Sequence, residues 1–189
     1  MSLSPEELLV IARQYWPAPG TEASEENGPE HARRALRWNE ALRDNERWND
    51  FLKDLRGLFP GFSVGDGTST SQACFTCVLF PAKGYPIPPV PWAVVGSMSI
   101  LAPVFTVYGI TFAYEGSKRS EARIHVGPMP DAMAETAARV AQELEARFKV
   151  RALPEEVAAT PAPVVVEGKK PPHTTLFDAL FTSEPDNVL

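Results

Sequence analysis

A chain of 189 residues, 44% hydrophobic and 22% charged, has the length and composition of one globular domain, alone or with a tail, rather than of a disordered or fibrous protein. A net charge of −6 and a pI near 5.1 argue against a nucleic-acid binder, which needs a basic face to displace phosphate counterions. The same acidity suits a basic protein partner.

The chain opens on Ser4-Pro5-Glu6-Glu7, acidic where a secretory signal would be basic and then apolar, so no signal peptide is expected and the location is read as cytoplasmic. Ser4 is a helix cap, Pro5 suits the first helical position, and Glu7 completes a capping box. Leu8, Ile11, Ala12 and Tyr15 form the apolar stripe of this helix, and Trp16-Pro17 ends it. Residues 17–28 carry polar, Pro and Gly residues and read as a loop. One long helix is then expected over 29–58, with Trp38, Leu42, Trp48, Phe51, Leu52 and Leu55 at helical spacing toward the core. Its other face carries both signs, including Glu40, Asp44, Asp50 and Asp54. Pro60-Gly61 stops it.

Strands are expected at 62–64 and 73–80. Then comes a run with almost no charge: residues 84–114 are 31 consecutive uncharged positions. Their hydropathy is borderline for a spanning helix, but Pro103 would break one and the many β-branched residues favour strands. Phe105, Val107, Gly109 and Thr111 alternate with Val104, Tyr108, Ile110 and Phe112, a period of two. Two central strands, 92–101 and 104–114, covered on both faces, are therefore expected. In the strand expected at 120–126, Ala122, Ile124 and Val126 alternate with Glu121, Arg123 and His125, which predicts one wet face. An amphipathic helix follows from Asp131, presenting Met133, Ala137, Val140, Leu144 and Phe148. The fold class is α+β: an antiparallel sheet of four to five strands packed by N-terminal and C-terminal amphipathic helices, a single domain over 1–153. Residues 154–189 form a Pro-rich extended tail with an edge strand at 164–166 and a short helix at 176–181 that packs on the domain.

Few residues point to chemistry. Cys74 and Cys77 form a C-x-x-C, but within a strand they face opposite ways and no helix N-terminus lowers a thiol pKa, so buried free thiols are expected. No four-ligand metal set is present, and no metal or cofactor is assigned. Residues 65–69 (GDGTS) lack the lysine of a phosphate loop and read as a hairpin turn. Ser97 and Ser99 miss the nucleophile-elbow pattern and become buried strand hydroxyls in need of partners. The proline-rich stretch 85–92, led by Tyr85, reads as a stiff loop that also has the composition of a groove-docking segment.

The leading functional expectation is an acidic interaction protein that binds a protein partner stoichiometrically, such as an immunity or inhibitor protein for a basic bacterial toxin. Glu40, Asp44, Asp50, Asp54, Tyr85 and His125 are its candidate contact residues, the charged helix steering a cationic partner. One alternative is an enzyme with a dispersed site around His125, the best available general base. The other is a membrane-associated protein acting through residues 84–114.

Overall fold

The computed structural model describes residues 3–21, 28–81 and 90–188; among these the chain forms six helices and six strands in a mixed α+β arrangement. The sheet is open and mostly antiparallel. β1 (Ser63–Asp66), β2 (Cys74–Phe80), β3 (Trp92–Ser99), β4 (Val104–Glu115) and β5 (Lys118–His125) lie in chain order. The uncharged run thus supplies β3 and most of β4, each flanked by a strand on either side. No helix among the described residues is long and apolar enough to cross a membrane. β4 has 12 residues and β5 has eight, which leaves the first residues of β4 with a free edge. β6 (Arg151–Ala152) fills it, pairing parallel with Val104 and Phe105. The sequence pattern does not announce this two-residue strand.

Pairing register decides what each face holds, because side chains alternate along every strand. One face carries Cys77 beside Gly96 beside Val107, and Leu79 beside Val94 beside Gly109. α4 (Asp131–Phe148) contacts β3 and β4 on this face. It comes close because two opposing positions are glycine: a Cβ at Gly96 would stand 2.9 Å from both Cys77 Sγ and Val140 Cγ1, and one at Gly109 would stand 2.7 Å from the Met129 and Met133 sulfurs. The other face carries Cys74, Thr76 and Val78 in line with Ser99, Ser97 and Val95, and then Thr106 and Tyr108. The C-terminal segment covers it. Phe177 of α6 (Leu176–Leu180) meets the Tyr108 ring edge-on at 5.6 Å, the Tyr108 hydroxyl donates to the Pro185 carbonyl at 3.2 Å, and the Ala73 amide donates to the Phe181 carbonyl at 3.2 Å. α1 (Pro5–Tyr15), with the Ser4–Glu7 capping box formed, joins through Trp16, whose indole N–H donates to the Ala179 carbonyl at 2.7 Å.

The expected helix over 29–58 is two helices, α2 (Pro29–Leu42) and α3 (Asn45–Leu58). At Arg43-Asp44-Asn45 the short polar side chains Asp and Asn favour turns over helix interiors. Asp44 leaves helical geometry (φ −104°, ψ 21°), and the Arg43 and Asp44 amides donate three residues back, to Glu40 and Ala41, at 3.2 Å each. Packing rewards the break. In a straight helix Trp38 and Trp48 would lie about 15 Å apart; here both place their rings 5.2 Å from Phe75. Leu42, expected in the core, is instead exposed beside the break. Residues 164–166 are buried but form no strand: the Val165 amide donates to the Pro17 carbonyl and Val166 bridges Lys169. α5 (Glu155–Ala158) is a single turn that the sequence reading missed.

Replacing Gly96 by Ala should destabilise the protein by about 1–3 kcal/mol, because short, stiff neighbours must move to admit a methyl group. Gly109→Ala should cost less, since the Met129 and Met133 thioethers can swing aside. Chemical denaturation of both variants checks the order.

Candidate functional site

Two groups of candidate residues gather chemistry among the described residues, and the break between α2 and α3 organises the first. There the chain opens a cleft of about 330 Å³ between α2, the start of α3 and the turn 100–103 that joins β3 to β4. Its floor is aromatic. Trp48 stacks tilted on Phe75 at 5.2 Å, on Phe51 at 5.1 Å and on Phe148 at 5.8 Å, so α3, β2 and the end of α4 meet in one ring cluster. Phe148 and Val150 reach the cleft because Lys149 ends α4 in the left-handed region (φ 56°) and turns the chain back. The wall is polar: Arg37, Glu40 and Asp44 line it. Arg37 Nε donates to the Ile100 carbonyl at 2.6 Å and Nη1 to Glu40 Oε2 at 3.0 Å, tying α2 to the β3–β4 turn.

Of the six predicted contact residues, the structure therefore brings together Glu40 and Asp44. Glu40 pairs with Arg37; Asp44 makes a longer pair with Arg47 at 3.7 Å. Asp54 lies elsewhere, in a groove between α3 and α4 shared with Lys53, Leu58, Arg139 and Glu143, and it is ion-paired with Arg147. Arg47 also donates to the Arg147 carbonyl and lies over the Phe148 ring at 5.1 Å, so this network clamps α3 to α4. Asp50 is exposed and makes no ion pair among the described residues. His125 sits on the edge strand β5, half-buried, its Nε2 at 3.1 Å from the Thr111 hydroxyl; no carboxylate bonds it among the described residues. Tyr85 lies outside the described residues.

Both signs run along α2 and α3, as their sequence predicts, and they nearly balance. Residues 29–58 carry six acids (Glu30, Glu40, Asp44, Glu46, Asp50, Asp54) against seven Arg and Lys. The acid excess lies instead in residues 1–28, with five acids and one base, and in 131–189, with ten acids and six bases. The feature that marks the cleft is local: two carboxylates at the mouth of an aromatic floor. Arg37, Phe75 and Phe148 were missed as its parts, although the Arg37/Glu40 spacing of three signals the ion pair.

The second group is the buried row on the opposite sheet face. Cys74 Sγ lies 3.3 Å from Thr76 Oγ1 and 3.4 Å from the Phe181 carbonyl, and Thr76 Oγ1 lies 3.3 Å from Ser97 Oγ. Ser99 accepts from the Leu101 amide at 3.2 Å, so both strand serines have partners. Cys77 points to the α4 face, and both thiols are free. Burial pushes each thiol up to about 12, so both stay protonated at neutral pH. Burial likewise raises the Tyr108 phenol. Asp66 closes the 65–69 turn, its Oδ1 accepting from the Thr68 amide at 3.0 Å. Among the described residues no group of three His, Cys, Asp or Glu side chains could hold a metal ion.

No family model matches the chain, nor does any curated protein or solved structure.

The buried thiols should ignore an aromatic disulfide reagent in native protein at pH 8 and react together after unfolding in guanidinium. In the unfolded chain they ionise near 9, while the folded thiols hold their protons to about 12. The folded state therefore binds more protons in that window, and stability should fall as pH rises from 9 toward 12, visible as a dropping denaturation midpoint. Removing the Asp54 carboxylate (Asp54→Ala) should cost up to about 1 kcal/mol through the α3–α4 clamp. Asp50→Ala should stay within about 0.5 kcal/mol of wild type in the same assay.

Proposed function

We propose that this protein acts by stoichiometric binding of a basic protein partner, as an immunity or inhibitor protein blocks a basic bacterial toxin, and that the partner docks over the α2–α3 break. The observation that carries this reading is the cleft: Glu40 and Asp44 stand at its mouth above Trp48, Phe75 and Phe148. Binding hot spots favour such an arrangement, in which an anchoring side chain enters a desolvated pocket and charged groups at the rim set orientation and approach. The cleft is also held on rigid elements, since α2, α3, β2 and α4 all converge on Phe75 and Trp48. Two protonated, buried thiols are compatible with the reducing environment of a cytoplasmic protein. Because acids and bases nearly balance along α2 and α3, the steering is local to the cleft mouth.

Affinity capture from the native host, with the captured protein then purified and its association measured, tests the proposal. A basic partner is expected, with an association rate that falls steeply between low and high salt. Reversal of both charges, Glu40→Lys with Asp44→Lys, should slow association by about ten-fold or more. Binding that ignores salt, or that survives the double reversal unchanged, would sink the reading.

A further inference from the structure

We propose that the cleft mouth is a guanidinium seat which the chain fills with its own Arg37, and that an arginine side chain of the basic partner takes that seat over. This rests on the binding role proposed above and specifies what the cleft recognises.

Three features that select a planar cation meet here. A carbonyl, that of Ile100, accepts from Arg37 Nε at 2.6 Å, and a carboxylate, that of Glu40, accepts from Nη1 at 3.0 Å. Donors in a rigid fork meeting fixed acceptors are what distinguishes guanidinium from ammonium recognition. The third feature is the aromatic floor, whose ring faces attract a cation. The chain already uses that attraction on this floor, where Arg47 lies at 5.1 Å over the Phe148 ring, and away from it, where Arg34 lies at 3.9 Å over the Trp16 ring.

The seat is exchangeable. The Arg37 side chain is 43% exposed and Glu40 is 59% exposed, so the pair is wet and weak. Asp44 supplies a second carboxylate at the mouth, 74% exposed and only loosely paired at 3.7 Å. Both carboxylates at the mouth thus have exposed, exchangeable partners in Arg37 and Arg47. When a partner's arginine displaces Arg37, it takes over the Ile100 carbonyl and the Glu40 carboxylate, and its aliphatic stem is covered by the apolar walls of a space of about 330 Å³. A neutral or anionic side chain that displaced Arg37 would leave Glu40 without a counter-ion.

The test is an NMR titration with Nα-acetyl-arginine N-methylamide, with the neutral citrulline analogue as control, followed at the Trp48 indole and the amides of residues 100–103. The arginine amide should shift these signals at millimolar concentration, with the citrulline analogue about ten-fold weaker. Arg37→Gln vacates the seat and should strengthen binding of the arginine amide by about three-fold or more, whereas Glu40→Gln with Asp44→Asn should abolish it. A purely structural Arg37 would lower the melting temperature without raising affinity. Equal response to both amides, no shift at Trp48, or an affinity unchanged or reduced in Arg37→Gln overturns the proposal. Should Arg37→Gln not fold, Arg37→Lys, which keeps the charge but loses the Nε donor, should also bind more tightly, and unchanged or weaker binding overturns it. Failure of the small probe leaves salt-sensitive capture of a whole partner standing, whereas loss of that capture with the probe still seated refutes the binding role instead.

Discussion

The structure depends on how closely α4 can approach the sheet. With no side chain at Gly96, the Val140 and Leu144 side chains settle into contact distance of β3, and the space a methyl group would need is already held by Cys77 and Val140. That approach sets the height of the last turn of α4 above the strands, and so the position of Phe148. Phe148 then meets Trp48 and Phe51, which fixes where α3 lies, and Trp48 with Trp38 brackets Phe75. The cleft is thus a by-product of core packing. Its floor is shared with the hydrophobic core, and only its polar wall is free to vary without loss of the fold.

The two sheet faces solve burial differently. Beneath α4 the sheet face is apolar and shape-matched, with glycines at Gly96 and Gly109 taking up the helix. The opposite face carries hydroxyls and a thiol in a row, each needing a partner once water leaves. Thr76, Ser97 and Cys74 satisfy one another, and the backbone carbonyl of Phe181 completes the row. The C-terminal segment is therefore more than an apolar cover, because it brings acceptors (the Phe181 and Pro185 carbonyls) that the strand groups require.

Much of the fold was legible because its signals are local and strong. The capping box at Ser4, the period of two after Pro103 and the wet face of 120–126 each report a single element whose pattern does not depend on distant residues. What escaped depends on tertiary context. Apolar positions at helical spacing on both sides of Arg43 look continuous, and only the shared target of Trp38 and Trp48 on Phe75 explains the bend. β6 exists because β4 outlasts β5, a length mismatch visible only once the register is known. Val164–Val166 have strand propensity, but their backbone bonds go to Pro17 and Lys169 rather than to the sheet, so they are buried as irregular chain. The candidate site was half legible. Glu40 and Asp44 stand out as charges, but the rings beneath them come from three separate elements. Asp54 reads like its neighbours in sequence and differs only because Arg147 of α4 reaches it.

The hydroxyl row also has a consequence in time. A ribosome makes β2, β3 and β4 before it makes the segment that caps them, and β4 ends at Glu115 while α6 begins at Leu176. At roughly 5–20 residues per second, the intervening stretch takes several seconds to synthesise. Throughout that interval one face of the nascent sheet stays wet and its polar row is bonded to water. The α4 face can close earlier, since the helix that covers it emerges soon after β5. Synthesis order therefore lets the α4 side close first, and the hydrogen-bonded side can be sealed only once the carbonyls of Phe181 and Pro185 arrive.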